Sequence, residues 1–191
     1  EKGSNFHGLF QWQLLGINGA FLTGDLFNLF VFFEVLLLAS YALLLHGGGK
    51  ARIQASVHYV VLNLAGSSLF LIAVGILYGA TGTLNMADMG YKLASLPAER
   101  EGLVTAGALM LLVVFGLKAA ILPLYFWLPR AYAAAPAPVA ALFAIMTKVG
   151  IYAILRVYSL IFGEQAGGLV ALEQPWVWWL ALATLAAAGV G

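Results

Sequence analysis

The stretch at 25–45, DLFNLFVFFEVLLLASYALLL, is almost all hydrocarbon, yet Glu34 sits near its middle. About 20 apolar residues in an α-helix cross the roughly 30 Å hydrocarbon core of a bilayer, so the stretch reads as a membrane span. Asp25 is placed to cap its N-terminus. A carboxylate at that depth costs about 2.5–3.5 kcal/mol on insertion scales and calls for a partner or a function.

The rest of the chain agrees with the membrane reading. Of its 191 residues, 63% are hydrophobic and 9% charged, against about 25% charged in an ordinary globular domain. Mean hydropathy is +0.96. No soluble core can hold that much apolar surface, so the bilayer serves as solvent. The net charge of +1 gives no reason to expect nucleic acid or an acidic partner. The absence of cysteine excludes disulfides, thiolate metal sites and Cys-ligated iron–sulfur clusters within this chain. No signal peptide is expected at the start, EKGSNF, and both ends read as cuts through a longer protein.

Six spans are expected. The first covers about Phe10–Leu22 and the second Leu26–Leu45. A loop of three glycines and two cations, 46–52, leads to the third, Ile53–Gly79. The polar connection 80–102 has room for a short interfacial helix. The fourth starts near Leu103 and runs on to about residue 136, too long for one straight span. Pro123 and Pro129 interrupt it, so we expect a broken helix with its discontinuity at 121–124. The fifth span covers Val139–Phe162, and a sixth begins near Trp176. Lys50, Arg52 and Arg130 fall on one side, which the positive-inside tendency makes cytoplasmic; Arg156 lies on the other. Trp176, Trp178 and Trp179 suit an interfacial aromatic belt.

Three ionisable residues fall near span centres: Glu34, Lys118 in the long broken segment, and Lys148 in the fifth span. A carboxylate and a lysine at membrane depth can be a structural ion pair that fixes packing. Buried pairs, however, seldom outperform hydrophobic replacements, so function is the stronger reading. Burial disfavours the charged form of either group and an opposite charge restores it, so such a pair is poised to exchange protons. A carboxylate can alternatively hold a dehydrated Na⁺ through oxygen. The break beside Lys118 strengthens the case, because non-helical backbone at membrane depth is tolerated only against protein or a water-lined cavity. Pro123 marks that break. Accessory candidates are His58, Tyr41 (seven residues after Glu34) and Tyr152 (four after Lys148). Asn63, Gly66 and Ser67 share a face of the third span and read as close helix packing. Asp25 and Asn28 read as cap and turn residues, Arg130 as an interfacial cation.

Three segments, TGDLFNLFVFFEVLLLASY (23–41), FGLKAAILPLYFWLPRAY (115–132) and APAPVAALFAIMTKVGIYAILR (135–156), occur in the order of a known family. The chain resembles the antiporter-like proton-translocating membrane subunits of respiratory NADH:quinone oxidoreductase and of the Mrp-type multisubunit cation/proton antiporters, with the strongest likeness to the D-type subunits of the Mrp branch. The resemblance implies an all-α, polytopic fold of fourteen helices built on two five-helix inverted repeats. This chain would form a single transmembrane domain over 1–191, with the first repeat at about 10–162 and the start of the second at 176–191. It further implies that Glu34 is the essential glutamate of the fifth family helix and Lys118 the essential lysine of the broken seventh. Lys148 would be the central relay lysine of an eighth helix that is also broken. Two departures favour the Mrp-type branch or remove polar groups. WLPRAY puts Arg130 and Tyr132 where the redox-complex subunits have Asp and His, and APAPVAALF has Ala137 and Ala140 in place of hydroxyl residues.

The leading expectation is therefore a subunit of a monovalent cation/proton antiporter in a bacterial cytoplasmic membrane. It would partner other membrane subunits and exchange H⁺ for Na⁺, with K⁺ and Li⁺ as alternatives. Glu34 would tune Lys118, which would pass protons to Lys148. No cofactor or metal and no catalytic residue is expected. A proton-pumping subunit of NADH:quinone oxidoreductase or of a membrane-bound hydrogenase is the alternative, and a scaffold with a structural ion pair is the third reading.

Overall fold

The structure is a computed structural model and describes residues 5–46, 48–163 and 175–190. The described residues form eight α-helices: α1 (Phe6–Leu22), α2 (Leu26–Leu45), α3 (Lys50–Thr81), α4 (Met86–Ala94), α5 (Ala98–Ala119), α6 (Leu128–Ala134), α7 (Ala137–Leu160) and α8 (Pro175–Val190). Of these, α2, α3, α5 and α7 are long and apolar enough to cross a bilayer. The helices α1 and α8, of 17 and 16 residues, are shorter. The expected connection at 163–175 and the side chain of Trp176 lie outside the described residues, apart from Gly163 and the backbone at the start of α8. The short helix expected in 80–102 is α4.

The helices pack where their outlines allow. Phe33 of α2 meets Phe70 of α3 and Phe115 of α5, with ring centroids 6.1 and 6.2 Å away. Tyr59 of α3 stacks on Trp127 at 5.2 Å and lies 5.7 Å from Phe143 of α7. The outward face of α3 shows Ile53, Val57, Val61 and Leu64, all exposed and spaced at helical period. An apolar stripe of this kind suits lipid. The 32-residue α3 is about 48 Å long at 1.5 Å per residue, longer than the hydrocarbon core, so its ends reach the interfaces.

Two ties define the ends of the bundle. At one, Arg52 donates through Nε to the Ala134 carbonyl (3.1 Å) and through Nη1 to the His46 carbonyl (2.6 Å). The connections after α2 and α6 are thereby brought together, as the grouping of Lys50, Arg52 and Arg130 requires. At the other end, Leu26 N–H donates to the Leu84 carbonyl (2.8 Å) and Met86 N–H to the Gly24 carbonyl (2.9 Å). Asp25 caps α2 by accepting from Asn28 N–H at 2.9 Å, and Asn85 caps α4.

The expected break is present. The helix α5 stops at Ala119, one residue past Lys118, and Ala120 adopts a left-handed backbone with φ 55°. Ala120 N–H donates to the Leu117 carbonyl (3.2 Å) and Ile121 N–H to the Gly116 carbonyl (2.9 Å), a Schellman C-cap. A run of turns then leads to α6. The second expected break is absent. The helix α7 is continuous from Ala137 to Leu160. Its nearby prolines, Pro136 and Pro138, sit at the N-cap and within the first turn, where the missing N–H would have no intrahelical partner anyway.

Gly150 shows how closely α7 lies against the break. A Cβ at Gly150 would come within 2.5 Å of Ala119 N and 2.9 Å of the Lys118 carbonyl carbon, so α7 rests directly on the last turn of α5. In the full-length protein, Gly150→Ala is expected to destabilise by about 1–3 kcal/mol through overpacking. Gly75→Ala, whose Cβ would meet nothing within 4 Å, should be neutral or slightly stabilising. Thermal loss of monodisperse protein in detergent distinguishes the two.

Candidate functional site

Lys118 is 4% exposed and sits in the last turn of α5. Its ammonium donates to Asn63 Oδ1 at 3.4 Å and to Ser67 Oγ at 3.3 Å. Both acceptors come from α3, one turn apart on one face. Ser67 in turn donates to Glu34 Oε1 of α2. The three elements are thus joined in series, Lys118 to Ser67 to Glu34, with the hydroxyl as the middle link. A hydroxyl has one proton and two lone pairs, so it can accept from the ammonium while donating to the carboxylate. Glu34 and Lys118 do not form the direct ion pair considered from the sequence. Among the described residues the one ion pair is Asp88–Lys92 on α4, at 3.0 Å and well exposed.

Asn63 is held for its task from the other side. Its Nδ2 donates to the Tyr59 carbonyl at 2.9 Å, which fixes Oδ1 toward Lys118. Ser40 donates to the Leu37 carbonyl at 2.6 Å, so in the Ser40–Tyr59 contact (2.9 Å) the Tyr59 hydroxyl is the donor. A cavity with about 10 Å³ of room lies beside Lys118, lined by Phe33, Leu36, Leu37, Tyr59, Asn63, Trp127 and Met146. That is space for about one water, and an ammonium has three donors, two of which are already used.

The break completes the setting. Trp127 is buried, and its Nε1 donates to the Leu117 carbonyl at 2.9 Å, which also accepts from Ala120 N–H in the cap of α5. Gly66, between Asn63 and Ser67, lets the Leu117 side chain approach to 2.7 Å of where a Cβ would stand. The reading of 63–67 as a packing face thus holds for Gly66 and misses Asn63 and Ser67. Their signal in the sequence is two polar side chains four residues apart on an otherwise apolar helix.

Lys148 lies apart from this group. Its side chain is on the exposed side of α7, with Thr147 Oγ1 as its partner at 3.3 Å. The accessory candidates also point elsewhere. Tyr152 is not joined to Lys148: its hydroxyl donates to the Phe21 carbonyl at 2.8 Å and accepts from Arg156 Nη1. The reason is the packing of α7 against α1, whose end presents an orphan carbonyl there. Tyr41 packs edge-on against Tyr59 at 5.2 Å, and His58 edge-on against Phe126 at 6.1 Å. Neither bonds to Lys118. Among the described residues, no three His, Asp or Glu side chains converge as a metal site.

Residues 23–191 match the family model described as NADH:quinone oxidoreductase/Mrp antiporter, TM. A probable K⁺/H⁺ antiporter D-type subunit of Rhizobium meliloti (strain 1021) is 55% identical over 189 residues, 99% of this chain and 35% of that protein. The corresponding D-type Na⁺/H⁺ antiporter subunit of Bacillus subtilis (strain 168) is 49% identical over 186 residues, 97% of this chain and 36% of its own length. The chain therefore spans about a third of the curated relatives it matches. Among solved structures, a chain of the Mrp complex from Dietzia sp. DQ12-45-1b superposes with a TM-score of 0.74 at 41% identity. That match covers 81% of this chain and 29% of the other.

The series Lys118–Ser67–Glu34 is expected to behave as one unit. In a double-mutant cycle of Ser67→Ala and Lys118→Met on thermal stability of the full-length protein, the coupling should be about 1–3 kcal/mol. Additive effects would contradict the shared hydrogen bond.

Proposed function

The chain belongs to the NADH:quinone oxidoreductase/Mrp antiporter family of membrane subunits, and from that premise we propose that it is part of a multisubunit monovalent cation/proton antiporter. It is a multi-pass, all-α membrane protein of transporter-subunit type. In this reading it lies in a bacterial cytoplasmic membrane with the connection between α2 and α3 on the cytoplasmic side, among other membrane subunits. Residues 10–162 form the first of two repeats, and 176–191 open the second.

The observation that carries the reading is the hydrogen-bonded series Lys118–Ser67–Glu34 at a helix break. Lys118 is the proton carrier. As an ammonium it donates to Asn63 and Ser67. Once it releases a proton, Ser67 can turn its own proton toward the amine, which changes the field at Glu34. The carboxylate, half-buried on α2, biases which of these states is favoured. The cavity beside Lys118 provides room for a water that takes or gives the proton. Lys148, exposed on α7, takes the proton onward to helices the rest of the protein supplies. The chain itself moves ions and makes or breaks no covalent bond of a substrate.

The family description spans redox complexes as well as antiporters. The relatives named as antiporter subunits, at about half identity, favour the antiporter. Their names divide between K⁺ and Na⁺, so both ions belong in the test, with Na⁺ as the proposed substrate. In everted vesicles holding the whole assembly, Lys118→Ala should lower cation-induced proton movement by about tenfold or more, the scale of a lost charged hydrogen-bonding group. Glu34→Gln should lower it less. Normal exchange in Lys118→Ala, with normal assembly, would leave only the scaffold reading.

A further inference from the structure

One backbone contact at the break is unusual. Between α5 and Leu124, Ala120 and Ile121 N–H groups return to carbonyls of α5, and Leu124 N–H donates to the Ile121 carbonyl at 2.6 Å. Pro123 has no N–H. Leu122 is the remaining donor, and it donates to Thr184 Oγ1 of α8 at 3.1 Å. The Thr184 hydroxyl donates its own proton to the Leu180 carbonyl at 2.8 Å, so its oxygen is left as an acceptor aimed at the break. Among the described residues this is the one hydrogen bond that joins α8 to the rest of the chain. Leu122 lies four residues beyond Lys118, in the turn that follows the cap of α5.

We propose that Thr184 is a positioning residue for Lys118: its hydroxyl latches the broken segment after α5 to α8, so that the position of α8 sets how firmly the lysine is held against Asn63 and Ser67. This rests on the proposed role of Lys118 in proton movement. The chemistry favours it. An unpaired N–H at membrane depth has no water in the hydrocarbon to fall back on, so its one partner is strongly held. The other end of the break is held by Trp127 on the Leu117 carbonyl, within the same segment. The Thr184 contact is different in kind, because it comes from another helix across 62 positions of sequence. Movement of α8 would therefore be felt at the end of α5. A shift of α8 that breaks the contact frees the turn, and with it the last turn of the helix that carries the lysine.

The test uses the full-length protein in its assembly. Thr184→Val keeps the shape and removes the acceptor, while Thr184→Ser keeps the acceptor. In everted vesicles at matched protein level, Thr184→Val is expected to shift the pH of half-maximal exchange by about half a unit or more, with Thr184→Ser close to wild type. Amide exchange over 120–127 should be about tenfold faster in Thr184→Val, as for the loss of a well-made hydrogen bond. An unchanged pH profile in Thr184→Val would overturn the positioning role, and so would a Thr184→Ser protein as impaired as the valine variant. Lys118→Ala, run alongside, separates the two claims. If it is inactive while Thr184→Val is normal, the transport reading stands and the latch falls. If Lys118→Ala exchanges normally, the transport reading fails and the positioning role fails with it, whatever the amide exchange shows.

Discussion

A lysine ammonium buried among apolar helices has to be satisfied by hydrogen bonds, and the rest of the arrangement follows from that need. Lys118 is almost wholly enclosed. Insertion of a charge at such depth costs about 2.5–3.5 kcal/mol in a single helix, and the cost grows if its donors find no acceptors. The bundle answers with Asn63 and Ser67 from α3, and with a carboxylate one bond further off on α2. The opposite charge is kept near but not touching. A direct pair would lock both groups in their charged forms, whereas a hydroxyl between them can reverse its hydrogen bond when the lysine changes state. Packing serves the same end. Gly66 and Gly150 remove Cβ atoms at the two places where α3 and α7 close on the last turn of α5.

Much of this was legible in the sequence, and the legible part has a clear physical basis. The placement of the four long spans comes from apolar length, while two of the six expected spans, α1 and α8, form shorter helices. Charges within spans stand out because they are expensive, which singled out Glu34, Lys118 and Lys148; the structure joins the first two through Ser67 and leaves Lys148 apart. Pro123 within an overlong apolar run marked the break, and α5 ends at Ala119, just before it. Asp25 was readable as a cap because the residue types that cap helices are few.

What the sequence did not yield depends on which faces meet in space. Ser67 and Asn63 looked like small polar packing residues, since nothing local says that a lysine 51 and 55 positions away will point at them. Tyr152 stands four residues from Lys148 on one helix, yet the carbonyl of Phe21 draws its hydroxyl elsewhere. The break expected in α7 came from family likeness; the local chemistry, with prolines confined to the helix start, keeps that helix whole. Thr184 is one hydroxyl in an apolar helix and acquires meaning only through the orphan N–H of Leu122. In each case spacing along the chain was readable and orientation across the bundle was not.

If Glu34 and Lys118 communicate through the Ser67 hydroxyl, the carboxyl group itself should register a change at either neighbour. Isotope-edited infrared spectroscopy of the full-length protein reads this, with the Glu34 carboxyl band assigned by its loss in Glu34→Gln. The band is expected to shift in both Ser67→Ala and Lys118→Ala. A Glu34 band that stays at its wild-type position in both variants would refute the coupling.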